Sequence, residues 1–340
     1  MVCELSNTSK AEHLFSGNDD SMVRSCLQGM MGGKIYVTDQ AAPKAAMAFL
    51  AAFAFFAGEP DRELASFKPK GVVGLVPPDE RWSALIEECW PDVAPVTRYA
   101  IKKGTKFDRN KLEDIVSSLP AEYELRRIDG ELYDACLEDE EFEDNVIHFT
   151  SKDEYLKLGR GFAILKDGGI ISVASSYTVY REGIEIQIDT VEEHRRKGLA
   201  SIAGAALILS CLDDGLYPSW DAANMESVHL AEKLGYEFSH EYTTYWIGEV
   251  FDHLIPDPDK NEWDAFCGRY QHPEDDRRVY EIYKKDDKLF YHFVNPDNGM
   301  AFDMRMYPIG EKTFGINDDD FELFFSDQCL TLNGLDCKKL

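Results

Sequence analysis

Arg195, Arg196 and Lys197 stand immediately before Gly198 and a run of small and apolar residues that begins Leu199, Ala200. A helix N-terminus presents amide N–H groups without intrahelical partners and a partial positive charge, so an anion can be held there by main chain alone. The three cations add side-chain charge to such a site. Gly198 leaves room for close backbone approach and tolerates a positive φ, and Ala200 keeps the surface small. Upstream, Glu185, Gln187 and Asp189 alternate with Ile184, Ile186 and Ile188, the period of a strand with one polar and one apolar face. A carboxylate on that polar face has the chemistry of a general base, and Glu185 is the preferred one. The same alternation also suits Glu185 and Asp189 as cross-strand pairing partners.

These residues need a strand, a turn and a helix in that order. Leu199, Ile202, Ala203, Ala206 and Leu207 fall roughly on one helix face until Asp213, Asp214 and Gly215 stop the helix, which puts its positive end at the basic turn. A second block follows the short segment Tyr217 to Asp221. In it, Asn224 is placed to cap a helix that carries Ser227, Leu230, Ala231, Lys233 and Leu234, and Gly235 ends it before Tyr236.

The pattern RxxGxA at Arg195, Gly198 and Ala200, after a strand and before a helix, resembles the coenzyme A pyrophosphate loop of the GNAT superfamily of N-acetyltransferases. The block from Asn224 to Tyr236 resembles that superfamily's second motif, Nxx[AS]xxLxxKxG followed by an aromatic residue. The resemblance implies a mixed α/β (α+β) GNAT fold over residues 119–250 and acetyl-CoA as cosubstrate. It implies that the backbone of Ile188, Asp189 and Thr190 meets the thioester, and that Arg195, Arg196, Lys197, Gly198, Leu199 and Ala200 hold the pyrophosphate. Asn224 and Ser227 either touch the cofactor arm or act only as structural caps. Acidic residues near Glu185 and Asp189 serve as base in several members. Many members carry a tyrosine as general acid where this chain has Ala231, and Tyr236 or Tyr245 are the candidates to replace it. Within the superfamily, HRRKGLA, WDAANMES and AEKLGY look most like the branch that includes the zwittermicin A resistance acetyltransferase.

Composition narrows the partners. With 63 acidic and 36 basic residues the formal charge is −27, which argues against nucleic acid and against an anionic membrane, and favours cationic ligands. Eight cysteines show no CxxC and no zinc-like spacing, so reduced thiols in a cytoplasmic protein are expected, with no metal. Asp318 to Asp320 lack the full ligand spacing of a calcium loop. The N-terminus reads as having no secretory signal. Ala45 to Gly58, the most apolar stretch, is too short to span a bilayer and reads as one long or bent buried strand.

Residues 1–118 read as an α/β domain without a catalytic constellation of its own, walling one side of a substrate cleft. The acidic run Glu138 to Asp144 reads as a solvated connection or as a rim that attracts an amine. Residues 251–261 read as a linker, and 262–340 as a small antiparallel β domain of six short strands, a sheet or half-barrel similar to lipocalin-like modules. The expected activity is direct acetyl transfer from acetyl-CoA to a small cationic amine. The alternative is a catalytically silent acyl-CoA sensor.

Overall fold

The computed structural model describes residues 1–256, 258–317, 321–326 and 328–340. The chain divides into two units: Met1–Phe67 with Leu75–Cys89 and Pro95–Thr244, and a second that gathers Lys68–Gly74, Trp90–Ala94 and Tyr245–Leu340. The fold is mixed α/β with an additional antiparallel barrel. The Asp318 to Asp320 run lies outside the described residues.

One sheet has five strands in the order Tyr217–Ser219, Gly183–Thr190, Gly169–Tyr180, Gly161–Lys166 and Glu124–Arg127. Its strands are antiparallel except the first pair, which is parallel. Asp167 and Gly168, both at positive φ, close the hairpin between Gly161–Lys166 and Gly169–Tyr180, as that pair of residues suggests. The other sheet has eight strands, in the order Cys3–Glu4, Lys34–Val37, Ala45–Leu50, Phe53–Gly58, Val73–Val76, Phe238–Ile247, Pro95–Ile101 and Asp221–Ala222. Tyr217–Ser219 and Asp221–Ala222 flank the single residue Trp220, so one short segment supplies an edge strand to both sheets.

The apolar stretch from Ala45 to Gly58 is a hairpin, not one long strand. Leu50 pairs with Phe53, and the turn is made by Ala51, at φ 53°, and Ala52. Both strands are buried, so apolar residues run through the turn with no glycine or asparagine to mark it.

The helix Leu199–Asp213 packs on the Gly161–Lys166, Gly169–Tyr180 and Gly183–Thr190 strands and against the helices Arg109–Ser117 and Met225–Leu234. It is buried on nearly every side, including Ser201, Gly204 and Ala205, rather than on the one face the sequence suggested. Small residues permit this. A Cβ on Gly204 would lie 2.9 Å from the Ile188 side chain, so the helix and the strand that precede and follow the basic turn are locked together.

The C-terminal strands close into an eight-stranded barrel: Gly268–Gln271, Val279–Lys285, Lys288–Val294, Ala301–Pro308, Thr313–Gly315, Glu322–Ser326, Cys329–Leu332 and Leu335–Lys339. The first and last, which a six-strand reading misses, pair through Tyr270 and Lys339 and complete the ring. Both are short and each buries a single residue, so neither shows an apolar signature. The interior is filled by Trp263, Phe266, Phe314 and Phe325 among others, with Phe266 stacked on Phe325 at 4.4 Å.

Candidate active site

The parallel pair that joins Gly183–Thr190 to Tyr217–Ser219 lasts three residues, Gly183 to Glu185. Beyond Glu185 the partner leaves through Trp220 for the other sheet, while Ile186–Thr190 stays paired only with the antiparallel Gly169–Tyr180 strand. In an extended strand successive residues direct their N–H and C=O groups to alternate sides. The Glu182 carbonyl accepts from Tyr217 N–H on the parting side, and Val191 N–H bonds Ile171 on the other. Ile188 and Thr190 therefore direct their backbone groups into the gap. The Thr190 carbonyl accepts from Arg195 Nε at 2.9 Å, which agrees with that assignment.

The basic turn is built as an anion cradle. Arg196 (φ 61°) and Gly198 (φ 84°) are both left-handed, and alternation of hand along a turn aims successive N–H groups inward. Gly198 is the N-cap of the 15-residue helix Leu199–Asp213, whose first turn has neither a side-chain cap nor an acidic residue. A Cβ at Gly198 would meet nothing within 4 Å, so the space in front of the helix end is open. Arg196 and Lys197 are exposed, Leu199 is buried beneath them and Ala200 is half-buried. Arg195 is a strut: besides Thr190 it pairs with Glu141 at 3.2 Å.

The acidic run is exposed at Glu138, Asp139, Glu140, Glu141 and Asp144, as a solvated connection would be, and is pinned at Phe142. Phe142 and Val146 are fully buried, and Asn145 Nδ2 donates to Asp189 Oδ2 at 2.7 Å, so the Glu138–Asp144 region folds onto the strand end. Gln187 Nε2 bonds the same Asp189 oxygen at 2.9 Å. Burial raises the Asp189 pKa against these two hydrogen bonds. Its carboxylate is already used to fasten the loop.

Glu185 lies on the same strand face but in another setting. Its side chain is 5% exposed; Ser21 Oγ donates to Oε2, and Lys103 Nζ stands 3.9 Å from that oxygen. Oε1 is buried and has no hydrogen-bond partner among the described residues. Burial pushes the pKa up to about 7, with Asp20 and Asp221 raising it and Lys103 and Ser21 holding it down. Such a carboxyl changes its protonation at neutral pH, the property a general base needs. Its cross-strand neighbour is Thr178 and that of Asp189 is Val173, so neither acid has a cation across the strand.

Residues before 118 contribute more than a wall. Asp20 and Ser21 begin the helix Ser21–Leu27, Asp20 capping it through Oδ1, and Arg98 and Lys103 lie on and just after the Pro95–Ile101 strand. Arg98 binds Asp221 at 2.5 and 2.8 Å, and Tyr242 donates to the other Asp221 oxygen at 2.9 Å. A cleft of about 870 Å³ is lined by Asp20, Lys103, Trp220, Asp221 and Tyr242 with Phe55 and Phe56. Three of these, Asp20, Lys103 and Asp221, are the charges around Glu185. No short-range pattern links positions 20, 103, 185 and 221, and of the four only Glu185 stood out in the sequence.

Tyr177 is the bulged residue of its strand, since Glu185 pairs with Thr178 and Ile186 with Ser176. Its ring packs between His148 at 4.2 Å and Phe53 at 6.3 Å. Burial lowers the His148 pKa to about 4, so the imidazole is neutral.

The second block is engaged in structure. Asn224 Oδ1 accepts from Ser227 N–H at 2.9 Å, Ser227 Oγ accepts from Trp220 Nε1 at 3.1 Å, and Gly235 ends the helix at φ 106°. Ala231 is fully buried. Tyr236 is buried with its hydroxyl on the Pro218 carbonyl at 2.7 Å, which commits it to packing. Tyr245 is buried on the Phe238–Ile247 strand and begins the last segment of the second unit.

The site is thus a parallel pair that parts after three residues, with an open helix start behind a basic turn at the end of the parting strand. The GNAT acetyltransferase family model matches residues 12–245, and the chain belongs to that family. It is 27% identical over 247 residues, 67% of this chain and 90% of the relative, to the uncharacterized N-acetyltransferase YdfB of Bacillus subtilis. The crystal structure of a GCN5-related N-acetyltransferase-like protein from Streptococcus suis aligns with a TM-score of 0.67 at 42% identity, over 71% of this chain and 98% of that one. The protein is an acyltransferase. No helix among the described residues is long and apolar enough to cross a membrane.

Proposed function

We propose that the protein transfers the acetyl group of acetyl-CoA to the amine of a small molecule, with Glu185 as general base. The observation that carries this reading is the buried Glu185 carboxyl, with one oxygen unpartnered among the described residues and a pKa near 7, at the point where the parallel strands part. The residues present fit the donor. The Arg195–Ala200 turn offers N–H groups and cations to a pyrophosphate, and the Ile188 and Thr190 backbone offers hydrogen bonds along the gap. When bound, acetyl-CoA supplies an activated thioester; an N–H aimed at the developing oxyanion contributes about 3 kcal/mol.

The amine enters through the cleft lined by Asp20, Asp221 and Tyr242, whose aspartates favour an ammonium group. Glu185 then takes its proton. Asp189 and Arg195 hold the donor loop in place, and Asn224 and Ser227 fix the second helix start beside it. With Ala231 in place of a tyrosine, the thiol leaves as thiolate, at a cost of about 2 kcal/mol at pH 7. Tyr245 remains the candidate proton donor.

A cytoplasmic location suits the eight free cysteines. The motifs HRRKGLA, WDAANMES and AEKLGY place the chain nearest the zwittermicin A resistance branch in our reading. We read 1–118 as the acceptor-side region, 119–250 as the acetyltransferase core, 251–261 as a linker and 262–340 as an added β module. The test is thiol release from acetyl-CoA across a panel of polyamines, aminopolyols and aromatic amines. Turnover with at least one amine is expected. Tight acetyl-CoA binding without turnover on any amine would favour a sensor, the reading that Ala231 supports.

A further inference from the structure

Glu185 is held unevenly, and the unevenness has a source. Oε2 receives the Ser21 hydroxyl and faces the Lys103 ammonium at 3.9 Å, whereas Oε1 has no hydrogen-bond partner among the described residues. The charged and titratable groups around it come from every neighbouring element. Asp20 precedes the Ser21–Leu27 helix, Arg98 and Lys103 come from the Pro95–Ile101 strand and its end, and Tyr180 from the adjacent strand. Tyr177 on that same strand, Asp221, Tyr236 and Tyr242 also face this region.

Most of these are already committed. Arg98 is absorbed by Asp221 and Tyr242, Tyr180 shares its hydroxyl with Ser219, and Tyr236 is tied to Pro218. Asp20 and Asp221, whose own pKa values burial raises, favour a proton on Glu185. Lys103 is thus the one cation in ion-pair range of Glu185 among the described residues. Its own ammonium is stabilised by Glu185 first, then by Asp20, so it stays charged despite burial.

We infer that Lys103 is a positioning residue: by drawing Oε2 to itself it favours the carboxylate form of Glu185 and leaves Oε1 to receive a proton. Lys103 makes no bond with the reacting atoms. The inference rests on the reading of Glu185 as the base. Sequence spacing gives no hint of it, since 82 positions separate the two residues and Lys103 follows a strand of the other sheet.

The test uses the full chain and needs no knowledge of the natural amine. Infrared difference spectra against pH follow the carbonyl stretch of a protonated carboxyl. In the wild type a band is expected to titrate near pH 7, and Glu185→Gln should remove it. Lys103→Met should move its midpoint up by about 1–3 units, as loss of a cation at this range does, and Lys103→Arg should restore it. With spermidine as the amine, a rise of about one unit would take Glu185 from half ionised to about a tenth at pH 7, a loss of about fivefold that higher pH recovers.

An unmoved midpoint in Lys103→Met, or an activity loss equal at every pH, would overturn the inference. Lys103→Gln gives the same reading if the methionine variant does not fold. Full activity in Glu185→Gln would remove the base reading alone, and the band would still report whether Lys103 governs Glu185.

Discussion

Replacing Glu185 by glutamine keeps the side-chain shape and the contact with Ser21 but removes the ability to accept a proton. A lysine-like amine with a pKa of about 10.4 must lose a proton before attack, and at pH 7 this costs roughly 4 to 5 kcal/mol. A positioned base recovers about 10²- to 10⁴-fold in rate. In the wild type kcat/KM should rise with pH through about 7, where the free-enzyme Glu185 ionises. In the variant it should fall by about 100-fold or more, and the limb near pH 7 should vanish, leaving only the ionisation of the amine.

Stability provides an independent check on the same residue. The folded pKa of Glu185 lies above its ordinary value of 4.5, so folding favours the protonated form. Its contribution is fully present below about pH 4.5 and is lost as pH rises through about 7, roughly 3 kcal/mol across that window. Denaturant titrations at pH 4.5 and 8 should show this loss in the wild type and not in the variant. Thiol-release assays that find kcat/KM unchanged, with the limb at pH 7 intact, would refute the assignment of Glu185 as base.

Three further outcomes follow from other parts of the site. Gly198→Val should abolish acetyl-CoA binding by calorimetry while costing about 1–2 kcal/mol of stability, because the residue is left-handed but its Cβ would meet open space. His148→Phe should flatten stability on the acid side. The depressed histidine pKa makes its contribution full above about 6.5 and lost as pH falls through about 4, which chemical denaturation at pH 4 and 7 would measure. Ala231→Tyr should not restore a general acid, since the position is fully buried. It should destabilise by about 1–3 kcal/mol in thermal melts and leave thiol release no faster.

Much of the donor side was legible because it is built from local signals. The RRKG turn, the helix after it, the Asn224 cap and the Gly235 stop are each set by residues within one turn of one another, and the structure has all four. The hairpin at Asp167 and Gly168 is local in the same way. What escaped was non-local or unmarked. The Ala51–Ala52 turn has no turn residue, and the two strands that close the barrel are short and bury one residue each, too little to show alternation. Ser21 reaches Glu185 because its helix packs on the Gly169–Tyr180 and Gly183–Thr190 strands, and Arg98 reaches Asp221 because Pro95–Ile101 pairs with Asp221–Ala222. Burial of the Leu199–Asp213 helix on all sides likewise depends on partners far away in sequence.

The central claim is that acetyl-CoA lies along the open side of the Ile188–Thr190 backbone and over the Arg195–Ala200 turn. Amide hydrogen exchange of the full chain with and without acetyl-CoA tests it most directly. Slowed exchange concentrated in residues 188–200, saturating with acetyl-CoA and absent in Gly198→Val, is the expected result. Binding that leaves these amides unprotected, or protects only residues elsewhere, would contradict it.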